Sequence, residues 1–185
     1  MANDSSNVSF GKPKATGAVY IAPAGTSVPT DATSELNVAF KNLGYISEDG
    51  LVNSVSTDKQ EVNAWGGDKV LSEQTTFGET FTVNLLETNE YALKTYYGED
   101  NVEVDGTNIT ITQNSTPLPE VVAVFELVLT GGRVKRIVVP KAKIADRSGD
   151  ITYADGSAVM YPAVFDALPD TDGNTHVEYI AVVAS

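Results

Sequence analysis

The sequence predicts a mainly β protein: an antiparallel sandwich or barrel with one flanking α-helix at about 88–97. Short apolar segments alternate with turn sequences such as Asp49-Gly50 through most of the chain, which is typical of antiparallel strands. Across residues 76–86 side chains follow a period of two, with Phe77, Phe81, Val83 and Leu85 on one face, which indicates a strand buried on one face. Glu79 interrupts that apolar face, so we expect it near a rim or an interface. One helix-like segment among so many strands predicts a sheet with a single helix packed on it.

The other predicted strands are delimited by glycine, proline and Asp-Gly turns. Residues 121–130 are apolar at almost every position, which predicts a central strand covered on both faces. In chain order the remaining strand predictions are 19–21, 45–46, 51–55, a hairpin of 102–104 and 109–111, a strand at 133–139 after Gly131-Gly132, a strand at 158–165, and a last hairpin that turns at 170–174 and returns at 176–183.

The helix prediction is supported at both ends. Thr88 or Asn89 precedes an acidic first turn, where a side-chain oxygen can accept from the free backbone N–H groups. Gly98 stands where helices commonly end in a left-handed residue. The side expected to pack on the sheet carries Tyr91, Leu93, Tyr96 and Tyr97.

Length and composition indicate one globular domain. The 185 residues are enough for a core, and 42% of them are hydrophobic, which is ordinary globular usage. No linker divides the chain, so we expect a single β-rich domain at 17–185 after a polar, flexible N-terminal arm at 1–16. No apolar segment approaches the roughly 20 residues of a membrane span, and the start of the chain lacks a signal-peptide pattern.

Composition also argues against several functions. Cysteine is absent, which excludes disulfides, thiol chemistry and Cys-ligated zinc. The formal net charge of −13 argues against nucleic-acid binding by phosphate neutralisation. Such acidity suits a surface past which DNA slides without being held, although solubility alone would also explain it.

No residue pattern predicts catalysis, a cofactor or a metal site. The single histidine, His176, is interpreted as a strand residue, because a catalytic histidine needs a nucleophile and an orienting group. Residues 170–174 resemble part of a calcium loop, but their predicted flanks are strands, so a hairpin turn explains them better. Carboxylate pairs such as Glu99-Asp100, or Asp146 with Asp150, are interpreted as solvated loops.

Two features point to contacts between proteins. Six of the 12 basic residues fall between 133 and 147, and the interface candidates among them are Arg133, Lys135 and Arg136. A basic strand pair on an acidic body can associate with an acidic face of another copy. Its charges can also keep an exposed edge strand from pairing with another chain. The other feature is Trp65-Gly66-Gly67-Asp68 in a predicted loop. A lone Trp is often partly core, but beside two glycines it is also typical of an interface anchor.

The order of these motifs resembles the major tail proteins, or tail tube proteins, of siphophages that infect Gram-positive hosts. The resemblance is densest at 44–98, where Asn63-Ala64-Trp65-Gly66-Gly67-Asp68 precedes the alternating strand, which ends in Leu86-Glu87-Thr88-Asn89 before the helix. Gly17-Ala18-Val19-Tyr20 and the Pro/Gly loop at 22–33 add to the likeness.

The resemblance implies a structural virion protein that self-assembles into stacked, hexameric rings, which form the tail tube through which DNA is delivered. Its implied partners are other copies of itself and the tail tip, tape measure and terminator proteins, with DNA only in transit and no membrane. Its place is the virion tail, after assembly in the host cytoplasm. By motif, residues at about 53–74 would be a long loop that reaches the neighbouring ring. Carboxylates proposed to face the lumen are Glu73 and Glu79.

Two other classes stay open. One is another β-rich surface or filament subunit, against which the missing signal peptide argues. The other is a carbohydrate-binding module that stacks sugars on Trp65 and nearby tyrosines. That module needs several aromatic side chains on one exposed face, whereas most of the tyrosines are predicted in the helix or in strand cores. An enzyme is not predicted.

Overall fold

The computed structural model describes residues 3–147 and 149–183, and strands dominate them. Parts of the predicted N-terminal segment, of a turn and of the domain's end lie outside the described residues: Met1, Ala2, Ser148, Ala184 and Ser185. The elements are β1 Gly11–Pro13, β2 Val19–Pro23, β3 Lys41–Asn42, β4 Val52–Asn63, β5 Lys69–Leu85, α1 Glu90–Tyr97, β6 Val102–Asp105, β7 Asn108–Ile111, β8 Glu120–Leu129, β9 Arg133–Asp146, β10 Tyr161–Ala167 and β11 Val177–Val182.

The hairpin of β8 and β9 forms the centre of the largest sheet, whose strand order is β3-β2-β8-β9-β10-β5-β4. β1 and β2 pair one after the other along the outer edge of β8. The two-sided burial predicted for residues 121–130 is confirmed at its centre, because residues 122–126 are all buried. The predicted hairpin of β6 and β7 is also present, as a separate two-stranded sheet.

The predicted last hairpin is wrong. β11 does not return along β10; both strands pair with β9, in the same direction and one after the other. The turn at 170–174 exists, with the Gly173 N–H bonded to the Asp170 carbonyl at 3.2 Å, but it lies within residues 168–176, which leave the sheet between the two strands. Pro140 lies between the two paired stretches of β9, and it has no N–H to donate there.

The sheet folds over on itself so that β5 packs across β8, and the result is sandwich-like rather than a closed barrel. Phe81 on β5 stacks on Phe125 of β8 with ring centroids 5.2 Å apart, and Phe165 of β10 meets Phe125 edge-on at 5.9 Å. These three buried rings are the centre of the main core. A smaller apolar cluster around Val124 lies on the opposite face of β8, under the loop between β2 and β3.

The predicted helix is confirmed as α1, which starts two residues later than predicted and ends at the predicted residue. Asn89 is the N-cap, and its side-chain oxygen accepts from the Ala92 N–H at 2.8 Å. Gly98 follows with φ 106° and ψ 146°, so its positive φ was anticipated but its ψ is not that of the left-handed helical region. Tyr91 is partly exposed. The buried side of the helix consists of Ala92, Leu93, Thr95 and Tyr96.

Three segments pair differently from their predictions. Residues 53–74, expected as a loop, form most of a long hairpin of β4 and β5. The expected strand at 45–46 is a single bridge between Ile46 and Leu85. The N-terminal segment was expected to be flexible to residue 16, yet β1 lies on β8 and the Phe10 N–H donates to Thr130 Oγ1 at 2.9 Å. The segment is therefore docked from Phe10 onward.

Candidate assembly surfaces

The outer part of the β4–β5 hairpin projects as an arm, which we define as residues 54–77. All of β4 and the part of β5 from Lys69 to Phe77 are exposed. At about 3.3 Å per residue, such strands reach roughly 30 Å. A two-stranded hairpin without a covering layer is marginally stable in water, so the arm is a candidate for a surface that another molecule covers.

The outer end of the arm is apolar as well as exposed. Val62 and Leu71 are directly opposite in the strand register, so their side chains share one face. Val70 is adjacent, and Trp65 at the tip is fully exposed. Several exposed apolar side chains at one end of a hairpin are typical of an interaction site in a soluble protein.

The predicted motif at the tip forms a tight turn. The Ala64 N–H donates to the Asp68 carbonyl at 2.7 Å, and the Gly67 N–H donates to the Ala64 carbonyl at 3.0 Å. Gly66 and Gly67 have φ values of 113° and 98°, which residues with a Cβ rarely adopt. The glycines therefore fix a turn that presents Trp65 to solvent.

The two candidates for lumen-facing carboxylates lie in different environments. Glu73 is exposed on the arm. Glu79 is 3% exposed, because it lies at the root of the arm where β5 enters the core. Its carboxylate accepts from Asn53 Nδ2 at 2.8 Å and from the Thr175 hydroxyl, and it contacts His176 Nδ1 at 2.9 Å. A buried carboxylate cannot act as lumen surface, so we do not retain Glu79 in that role.

These contacts predict that Glu79 stabilises the fold in a pH-dependent way. Burial raises the pKa of Glu79, but hydrogen bonds from Thr175, Asn53 and His176 outweigh it and hold the pKa below the ordinary value of a glutamate. A carboxylate with a depressed folded-state pKa contributes stability above its unfolded pKa and loses it as the pH falls through the folded value. Wild type should therefore exceed Glu79→Gln in free energy of unfolding at neutral pH.

That difference should shrink as the pH falls from about 6 to about 3, measured by urea denaturation with circular dichroism. The control is Val38→Ala, which removes no charge and should show a pH-independent difference. A Glu79→Gln difference that stays constant over the same range would contradict the role given to the ionised carboxylate.

Arg136, predicted at an interface, is also buried, with 1% of its surface exposed. Its Nε donates to Glu126 Oε1 at 2.8 Å, and Lys14 Nζ bonds the other oxygen of that carboxylate at 2.8 Å. Its Nη1 and Nη2 donate to the carbonyls of Asp31 and Ser34, each at 2.8 Å. This ion pair ties the N-terminal segment and the β2–β3 loop to the central hairpin, so Arg136 is not retained as a surface residue.

Arg133 and Lys135 lie on the inner face of β9 and are partly exposed. Lys135 Nζ forms an ion pair with Glu178 Oε1 of β11 at 2.7 Å. The sequence did not draw attention to two exposed neighbours on β11, Ile180 and Val182. They were assigned to a strand beside β10, which would have placed them away from the basic residues of β9.

Among the side chains that the structure describes, no group of three or more His, Asp or Glu is placed to hold a metal ion. Within residues 3–147 and 149–183, no helix is long and apolar enough to cross a bilayer.

Comparisons with known proteins bear on the identity of the chain. No curated protein matches it. A sequence model of the family described as phage tail tube protein matches residues 1–182. The match includes the arm, the helix and the central hairpin, and it spans nearly the whole sequence. The chain belongs to the phage tail tube protein family.

Proposed function

We propose that copies of this chain join into rings, six to a ring as the resemblance implies, and that the rings stack into the tail tube through which DNA is delivered. The observation that carries the proposal is the arm, whose outer end exposes Val62, Trp65, Val70 and Leu71. A second copy that covers this surface would stabilise both the hairpin and the assembly.

The kind of contact that an arm makes also favours a tube. An arm that docks on a different surface of the next copy forms a heterologous interface, and such interfaces propagate into rings or filaments. The sheet ends in β3 on one side and β4 on the other, and edge strands carry unpaired backbone groups. A ring in which neighbouring sheets meet along β3 and β4 would cover these two edges.

The charge of the chain suits a conduit for DNA. With a formal net charge of −13, a lumen lined by carboxylates would repel phosphate within about 10 Å at moderate salt. Glu73 remains a proposed lumen residue. Trp65, Gly66, Gly67 and Asp68 are proposed to contact another subunit, together with Arg133 and Lys135.

Membership in a structural family supports a role without catalysis or a cofactor, as a component of the virion tail. We further propose assembly in the host cytoplasm, contacts with the tail tip, tape measure and terminator proteins, and a Gram-positive host. These statements rest on the resemblance of the motifs at 44–98.

Replacing residues 63–70 by an Asn-Gly turn, which keeps Val62 opposite Leu71, should give a folded chain that does not polymerise. The shortened hairpin keeps a turn that suits two antiparallel strands, so circular dichroism should match wild type.

A central interface Trp contributes about 2 kcal/mol or more, roughly 30-fold in association, so Trp65→Ser should weaken assembly by at least that factor. Sedimentation velocity with electron microscopy measures both effects.

The matched control is Tyr153→Ser, which removes an exposed aromatic side chain outside the arm and should leave assembly unchanged. Rings or tubes formed by the arm-tip replacement at the wild-type concentration would contradict the role of the arm.

A further inference from the structure

The arm leaves the body of the protein at Glu79. The pairing of β5 with β10 covers residues 80–85, and from Glu79 outward the partner strand of β5 in the described chain is β4. Burial changes at the same place, because Phe81 is fully buried, Glu79 is 3% exposed and Phe77 is 53% exposed. Glu79 is therefore the joint between a strand held in the sheet and a hairpin without a covering layer.

The Glu79 carboxylate connects this joint to a part of the chain outside the hairpin. Its Oε2 accepts from the Thr175 hydroxyl and lies 2.9 Å from His176 Nδ1, while its Oε1 accepts from Asn53 Nδ2 of β4 at 2.8 Å. Thr175 and His176 are the last two residues before β11. We call these four residues the root clamp: Asn53, Glu79, Thr175 and His176.

Beyond the root clamp, side chains bond the two strands of the arm to each other. Thr76 Oγ1 donates to Asp58 Oδ2 at 2.8 Å, and Lys69 Nζ pairs with Glu61. The direction of the hairpin as a unit therefore depends on its root. Over the roughly 30 Å that the arm spans, a tilt of about 10° displaces the tip by roughly 5 Å, which exceeds the contact distance of about 4 Å between apolar side chains.

We propose that Glu79 is a positioning residue for assembly: its carboxylate, bound by Thr175 and His176, holds the arm in the direction from which Trp65 reaches the next copy. This rests on the proposed function and names the residue that prepares the arm for that contact. Fixing a segment in its bound direction before the encounter removes an entropic cost of association. The role is separate from stability, because a chain with a loosened root can stay folded and still misdirect the tip.

The test begins with Thr175→Val, which replaces the hydroxyl by a methyl group of similar size, and with its matched control Thr175→Ser, which keeps a hydroxyl. The absence of cysteine allows nitroxide labels at two chosen exposed sites, Gln60→Cys on the arm and Glu120→Cys at the start of β8. A Trp65→Ser background keeps the labelled chain unassembled. Double electron–electron resonance should give a label-to-label distance distribution at least twice as wide for Thr175→Val as for Thr175→Ser.

Assembly is measured by sedimentation velocity on unlabelled chains that keep Trp65. The concentration at which half of the chain is assembled should rise at least tenfold for Thr175→Val and should be unchanged for Thr175→Ser. Glu79→Gln should act like Thr175→Val, and the two Thr175 variants decide the question if Glu79→Gln does not fold.

A further control separates loss of direction from loss of stability. Val102→Ala shortens a buried side chain of β6, where this strand packs on the helix, and lowers stability away from the root clamp. Its distance distribution and its assembly should both match those of the parent chain.

The outcomes distinguish this inference from the function on which it rests. Tubes from the parent chain, with equal assembly of Thr175→Val and Thr175→Ser, would overturn the positioning role and leave the tube intact. Equally narrow distance distributions in these two variants would overturn it as well. A parent chain that stays monomeric at every concentration would overturn the proposed function, and the positioning role with it, even where the distances widen as expected.

Discussion

Arg136→Met is expected to lower the free energy of unfolding by about 3–5 kcal/mol, which is the range for removing one partner of a buried ion pair. The substitution leaves the Glu126 carboxylate buried with Lys14 as its remaining basic partner. It also removes the donors to the carbonyls of Asp31 and Ser34, and unsatisfied polar groups are costly to bury. Urea denaturation followed by circular dichroism measures the change.

Two further variants make this expectation specific. Arg136→Met combined with Glu126→Leu removes both charges and should recover part of the lost stability. Lys69→Met breaks the exposed pair with Glu61, where Nζ and Oε1 are 2.5 Å apart, and should cost no more than about 1 kcal/mol. If Arg136→Met cost no more than Lys69→Met, the buried pair would not be what holds the β2–β3 loop on the sheet.

Phe125→Ala is expected to cost about 3–5 kcal/mol, as large-to-small changes of buried aromatic residues do. Its ring contacts both Phe81 and Phe165, so its loss leaves a cavity at the crossing of the two layers. The matched control is Phe77→Ala on the arm, where the ring is about half exposed and the cost should stay near 0.5 kcal/mol. Equal costs would contradict the packing of β5 across β8 as the centre of the core. The measurement is again urea denaturation.

The sequence predicted the parts of the fold that depend on neighbouring residues, such as a burial pattern that repeats along a strand or a capping contact at the end of a helix. The period of two located the inner half of β5, and continuous apolarity identified β8 as central. Asn89 and Gly98 marked the ends of the helix because a cap is a contact between residues a few positions apart. The outer half of the hairpin gave no such signal, since a strand exposed on both faces has no reason to alternate.

What the sequence did not predict depends on distant partners. A turn such as residues 170–174 has the same chemistry whether the chain returns along β10 or continues along β9. Glu79 and Arg136 were interpreted as surface charges, because their burial is compensated by groups 96 and 105 positions away, Thr175 and Asp31. The exposed Ile180 and Val182 were missed for the same reason: their position beside β9 follows from the strand order, which local patterns do not specify.

In the proposed assembly, copies of this chain join through the arm into stacked rings. Negative-stain electron microscopy of the concentrated full-length chain, paired with sedimentation velocity on the same sample, tests it most directly. We expect rings or hollow tubes of one uniform diameter, with sixfold symmetry in end views. A chain that sediments as a monomer at the highest concentration reached, with no rings on the grid, would contradict the proposed assembly.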